Sequence, residues 1–127
     1  KGRSTIPHSI QTLMMIDSLD MTDADRKIIL EHCKTCPEER IIVTHGTDTM
    51  TETALQLGAA KLPKTIIITG AMVPYTFGSS DGMFNLGSSM AYVQCLPHGV
   101  YVVMNGKAYQ WDNVMKNKKT GFFEPIS

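Results

Sequence analysis

The stretch Arg40-Ile41-Ile42-Val43-Thr44-His45-Gly46-Thr47-Asp48-Thr49 decides how this chain is read. Its first five residues are a β-branched run of the kind that is buried on both faces of a parallel sheet. The next four form a turn out of that strand, and Thr49 with Glu52 has the spacing of a capping box. The helix it opens would turn Met50, Ala54, Leu57 and Ala60 toward the sheet. Lys64 to Thr69 is a second strand of the same type. Upstream, Thr22 and Asp25 make another capping box, before Ala24, Ile28, Ile29 and Cys33 at helical spacing, and Pro37 stops that helix. A short apolar strand is expected at Gln11–Ile16. Downstream, Met83 to Leu96 carries Phe84, Leu86 or Gly87, Met90 and Val93 at helical spacing. Val100–Met104, Asn105-Gly106 and Lys107–Trp111 read as a hairpin with a type I′ turn.

Alternation of strand and helix predicts one α/β domain over residues 1–127. It would be a three-layer sandwich around a mostly parallel, Rossmann- or flavodoxin-like sheet with right-handed crossovers, ending in a β-hairpin. Ligands in such sheets collect at the carboxyl ends of the strands, which points to the loops after Thr44 and Thr69.

Composition narrows the partner. Of 127 residues, 43% are apolar, and 12 Lys and Arg balance 12 Asp and Glu, which removes the electrostatic basis for nucleic-acid binding. No apolar run nears the roughly 18 residues of a membrane span, and Lys1 to Thr5 lacks a signal peptide's apolar stretch. Three cysteines, Cys33, Cys36 and Cys95, do not form a disulfide framework and favour a reducing, cytoplasmic setting. Cys33 and Cys36 have no second half-site, so they read as ordinary cysteines near a helix end, and no metal or other cofactor is expected. His8, His32 and His98 read as surface or boundary residues, and the methionines as core filler. Tyr75, Phe77 and Trp111 could line a pocket or an oligomer contact.

Thr44 to Thr49 gathers three hydroxyls, an imidazole and a carboxylate in one turn, and Gly46 allows close approach of the backbone to a ligand. The residues alone admit a plainer reading, in which Thr49 caps a helix, Asp48 suits its dipole and His45 is a satisfied loop residue. Lys116, in the run Lys116-Asn117-Lys118-Lys119, reads by charge patterning as a solvated cation.

The segment Ile42-Val43-Thr44-His45-Gly46-Thr47-Asp48-Thr49-Met50 closely resembles the second signature of bacterial-type L-asparaginases and glutaminase-asparaginases. Asp17-Ser18-Leu19-Asp20-Met21 resembles their substrate-binding serine segment, and Thr69-Gly70-Ala71-Met72-Val73-Pro74 their next active-site loop. Ser80-Asp81-Gly82 with Asn85-Leu86, and Asn113-Val114-Met115-Lys116, continue the likeness, which runs from about Gln11 to about Phe123. The resemblance implies that Thr47 positions water or substrate, that Asp48 binds the substrate's α-amino group, and that Lys116 is their basic partner. It further implies that Ser18 holds the α-carboxylate, that Gly46 borders the substrate, and that the Ala71 backbone faces the side-chain amide. A homo-oligomer, dimer or tetramer, acting on a small amide or amino acid is implied as well.

The likeness has gaps. A Thr-Gly-Gly-Thr-Ile-type first signature, which carries the family's primary nucleophile, is not found in these 127 residues; Arg3-Ser4-Thr5-Ile6 only echoes its end. The expected form is thus a short, N-terminal-domain-only protein truncated at its start, with an exposed sheet edge that a partner subunit could cover. Leu19 departs from the polar residue common in long forms and leaves the substrate preference open. The leading reading is an asparaginase-type amidohydrolase; the alternative is a non-catalytic domain that binds or senses an amino acid or amide. A third, Gly78-Ser79-Ser80-Asp81-Gly82 as a nucleophile elbow, has poor context because Pro74, Tyr75 and Phe77 separate it from the strand.

Overall fold

A computed structural model describes residues 7, 18–73 and 80–127. The strand expected at Gln11–Ile16, and Thr5, His8, Tyr75, Phe77, Gly78 and Ser79, lie outside the described residues.

A 3₁₀ turn at Ser18–Asp20 leads to α1 (Asp23–Thr35), and β1 (Arg40–Thr44), α2 (Met50–Ala59), β2 (Thr65–Thr69), α3 (Gly82–Cys95), β3 (Gly99–Met104) and β4 (Lys107–Gln110) follow. The four strands form one sheet in the order β1-β2-β3-β4, in which β1, β2 and β3 are parallel and β4 is antiparallel. Asn105 and Gly106 both have positive φ, 57° and 78°, as the tight turn between β3 and β4 requires. Two further strands, β5 (Met115–Lys116) and β6 (Phe123–Glu124), pair as a separate ribbon. At two residues each they are too short to leave a period in the sequence.

β2 is buried at all five positions because it has a strand on either side and helices over both faces. Ile66 and Ile68 point to one core, with Met50, Ala54 and Leu57 of α2 and Ile29 and Cys33 of α1. Ile67 points to the other, with Val93 of α3, Tyr101 and Val103. β1 is only half-buried, against the expectation of burial on both faces, because it lies at the margin of the described sheet.

This arrangement corrects the expected handedness. The chain moves in one direction across the sheet from β1 to β2 to β3, yet α2 and α3 cover opposite faces. Two such crossovers have opposite hands, so one of them is left-handed, a rare connection in parallel sheets. The loops after β1 and β2 consequently leave neighbouring strand ends toward opposite faces. Such divergence opens a crevice in α/β folds, and here no reversal of strand order is needed.

The helix faces also need correction. In α1 the capping box forms, with Asp25 N–H donating to Thr22 Oγ1 and Thr22 N–H to the Asp25 carboxylate, but Ala24 and Ile28 are exposed. Arg26, Ile29 and Cys33 face inward instead. In α2 Met50, Ala54 and Leu57 are buried, whereas Ala60 lies past the helix and is exposed, and the Thr49 side chain makes no capping bond. In α3 the inward face is Asn85, Ser89 and Val93, while Phe84 and Gly87 are exposed and Leu86 and Met90 half-buried. A polar hub, described below, displaces the apolar face there. Met50 and Met104 fill the core, but Met83 and Met115 are exposed.

Two contacts fix the helix ends. Lys64, buried at the start of β2, donates from Nζ to the carbonyls of Cys33 and Cys36 at 2.6 Å each, tying the end of α1 to the sheet. Burial pushes the Cys33 thiol up to about 11, with the charge of Cys36 adding and that of Lys64 opposing. Trp111 lies flat against Gly58 of α2, where a Cβ would fall 2.0 Å from the indole, and Lys61 Nζ stands 5.7 Å from its ring centre.

Candidate active site

At the end of β1 the chain turns through His45, Gly46, Thr47 and Asp48 into α2. His45 N–H donates to Thr69 O at 2.8 Å, so the turn continues the pairing of β1 with β2 for one more residue. Gly70, just past β2, lies so close that a Cβ there would sit 2.1 Å from the His45 carbonyl oxygen.

The buried ring of His45 is part of a directed chain of hydrogen bonds. Since the Gly46 carbonyl can only accept, Nδ1 carries the proton and donates to it at 2.6 Å. Nε2 then accepts from the Thr53 hydroxyl at 2.7 Å, and Thr53 Oγ1 accepts from Arg26 Nε at 3.2 Å. Arg26 is only 4% exposed; it pairs with Asp23 at 3.1 Å and approaches Glu52 at 3.8 Å. Sequence reasoning missed Arg26, although its placement three residues before Ile29 and seven before Cys33 puts it on their face.

Burial holds His45 below its usual ionisation range of 6.5; the Gly46 hydrogen bond opposes this, and the Arg26 charge adds to it. The neutral form is therefore the one the fold favours. Its contribution to stability is complete above 6.5 and is lost as the pH falls toward the lowered folded value, because the unfolded chain takes up a proton that the fold refuses. We expect the urea midpoint to fall between pH 7.5 and pH 5, and to fall less in His45→Gln. Equal declines in the two proteins would refute this account.

Lys116 reaches the same turn from β5. Its Nζ donates to Thr47 Oγ1 and to Asp48 Oδ1, both at 3.0 Å, across 69 and 68 residues of sequence. Lys116 is 17% exposed and Asp48 49%, so the pair stands at the mouth of a cavity and not in the dry core. An ammonium can only donate, so Thr47 Oγ1 accepts here and its own hydroxyl proton is directed elsewhere. Asp48, Thr49, Glu52, Lys116, Lys118 and Leu19 line an open cleft of about 360 Å³.

The loop after β2 is held from α3. Asp81 accepts from the backbone N–H groups of Met72 and Val73 at 3.1 and 2.9 Å. Burial pushes the Asp81 carboxyl up, but those bonds, with one from Asn85, outweigh it and hold it below the usual carboxylate range. Asn85 donates to Gly70 O at 2.8 Å. Ser80 Oγ accepts from Gly82 N–H, a turn contact that gives it no base to make it a nucleophile.

Of the sequence-derived candidates, Thr47, Asp48 and Lys116 meet directly. Gly46 adjoins them and uses its carbonyl on His45. Ser18 opens the 3₁₀ turn next to Leu19, which lines the cleft. Ala71 lies beyond the end of β2, half-buried, and is not among the residues lining that cleft. Trp111 packs on α2 and does not line it. Glu52 and Lys118, which do line it, were visible in the sequence only as a cap residue and a member of a charge run. Among the described residues, no group of three or more His, Cys, Asp or Glu could hold a metal ion, and no helix is long and apolar enough to cross a membrane.

An α/β sheet whose strand-end turn presents hydroxyl, carboxylate and ammonium together is the kind of site that handles small polar molecules. The family model "Asparaginase, N-terminal" matches residues 3–123, and the chain belongs to the asparaginase family. It is 36% identical over 119 residues to L-asparaginase 2 of Escherichia coli (strain K12), covering 87% of this chain and 33% of that protein. It is 41% identical over 90 residues to glutaminase-asparaginase of Pseudomonas fluorescens biotype A, covering 66% and 25%. Among solved structures, L-asparaginase I from Vibrio cholerae O1 biovar eltor str. N16961 superposes with a TM-score of 0.78 at 28% identity, covering 87% of this chain and 36% of that one. The chain thus spans about a third or less of the length of these relatives.

Proposed function

We propose that this chain carries substrate-handling residues of an asparaginase-type amidohydrolase that converts a small amide such as asparagine to the acid and ammonia. The primary nucleophilic threonine would come from outside these 127 residues. The observation that carries this reading is Lys116 Nζ shared between Thr47 Oγ1 and Asp48 Oδ1.

Asp48, half-exposed at the cleft, would take the substrate's α-ammonium as a charge-assisted partner. Ser18 would take the α-carboxylate, with Gly46 and the Ala71 backbone bordering the amide. As the tetrahedral intermediate collapses, Lys116 would pass a proton to Thr47 Oγ1 while Thr47 gives its own to the amide nitrogen. The C–N bond breaks and ammonia leaves, and Lys116, now an amine, regains the proton that the nucleophilic threonine's hydroxyl gives up in forming the ester. Water then adds to the acyl carbon, the ester C–O bond breaks, and the water's proton returns to that threonine's oxygen. Three free thiols suit a reducing cytoplasm, and a homo-oligomer would cover exposed apolar residues such as Phe84 and Phe122.

The protein, with any preceding residues intact, should release ammonia continuously from asparagine or glutamine in a coupled assay. Heat of aspartate binding that is lost in Asp48→Ala, with no ammonia from either amide, would replace the hydrolase with a binding domain.

A further inference from the structure

Lys116 sits on a ribbon that is not part of the main sheet, so something else must hold its ammonium within reach of Thr47 and Asp48. Directly opposite Lys116 in that ribbon is Phe123. The backbone of Phe123 is held on both its polar groups by side chains of the β3–β4 hairpin. Its N–H donates to Asn105 Oδ1 at 3.2 Å, and its carbonyl accepts from Tyr109 Oη–H at 2.9 Å. Asn105 is itself oriented from behind, because its N–H donates to Oδ1 of Asn85, which is 1% exposed.

We propose that Asn105 and Tyr109 are positioning residues for Lys116, setting where its ammonium lies by holding the backbone of Phe123. Two bonds spaced along one residue fix both the height and the rotation of β6, and the cross-strand pairing passes that placement to Lys116. The Asn85 side chain extends the arrangement to the loop after β2, since the same carboxamide donates to Gly70 O and to Asp81 Oδ2. One line of carboxamides therefore spans the β2 loop, the hairpin and the lysine ribbon. Asn105 meets two demands at once: its φ of 57° suits asparagine or glycine, but only a side chain with an acceptor also holds Phe123.

The role in catalysis rests on the proposed function, whereas the role in placing Lys116 does not. The test is accordingly the rate at which Lys116 is acetylated by acetic anhydride, relative to exposed Lys118, read by peptide mass spectrometry in the whole protein. Asn105→Gly keeps the turn and removes the acceptor; Tyr109→Phe keeps the ring and removes the hydroxyl. A net hydrogen bond shifts a local opening equilibrium by about two- to tenfold, so the Lys116:Lys118 ratio should rise by that factor in each variant. Asn105→Asp, which retains an acceptor, should restore the parent ratio. A residue that served only stability would lower the melting temperature and leave the ratio unchanged, and an unchanged ratio in Tyr109→Phe, whose core ring is intact, overturns the proposal. If the parent releases ammonia, kcat should fall in the same two variants while KM holds. If it releases none, the labelling ratio still decides.

Discussion

Given the proposed function, Lys116→Met is expected to lower ammonia release by about a hundredfold or more while the melting temperature hardly moves. The two halves of that expectation have different physical sources. Nζ is the group that connects Thr47 to Asp48, and loss of a positioned proton donor typically lowers a rate by about 10²–10⁴-fold. As an ion pair, however, Lys116–Asp48 is half open to solvent on the carboxylate side, and such pairs contribute only about 0–1 kcal/mol. Lys116→Arg sharpens the point, because guanidinium keeps the charge and the donors but does not give up a proton at working pH. If Arg supports the parent rate, the lysine acts by charge alone and the proton-passing step is wrong. Ammonia release and differential scanning calorimetry on the same three proteins provide both readings.

Gly70→Ala is the substitution expected to harm the fold most. An added Cβ would lie 2.1 Å from the His45 carbonyl oxygen, far inside van der Waals contact, and the obstacle is main chain that cannot rotate aside. The loop carrying Thr47 and Asp48 would have to move away from the end of β2 and surrender the His45–Thr69 bond. Overpacking of this kind costs about 1–3 kcal/mol and occasionally more, and the upper end is expected here because both partners are backbone. Gly87→Ala is the matched control. Its Cβ would meet nothing within 4 Å on the exposed side of α3, so the change should stabilise by about 0.5–1 kcal/mol, as replacing a mid-helix glycine usually does. Equal denaturant midpoints for the two variants would show that the close approach of the β1 and β2 loops has no energetic weight.

Much of the architecture is legible in local pattern. The runs at Ile41–Val43 and Ile66–Ile68 are long enough in β-branched residues to mark strands, though they do not show that β1 lies at the margin of the described sheet. Thr22 with Asp25 marks a helix start, and Asn105-Gly106 marks a hairpin. The hand of a crossover is a different matter, since it depends on which face a helix covers and α2 and α3 carry no local sign of that. α3 misleads because its buried stripe is Asn85, Ser89 and Val93, and asparagine placed inward reads as exposed until its partners at Gly70, Asp81 and Asn105 are seen. The same holds for Arg26, whose burial makes sense only beside Thr53 and Asp23. For the site, the residues alone leave the Thr44–Thr49 turn balanced between chemistry and a plain helix start, with Thr49 as cap and Asp48 suited to the dipole, and charge patterning makes Lys116 a solvated cation. Resemblance to a family motif linked them, and their meeting across nearly 70 residues is a property of the folded chain.

Trp111 is the chain's single tryptophan, and it lies against the glycine backbone of α2 with an ammonium nearby. Its fluorescence therefore comes from one place only, the seam where the second helix closes over the hairpin. A shift in emission wavelength during refolding would time that closure without any attached dye, giving this protein its own optical clock.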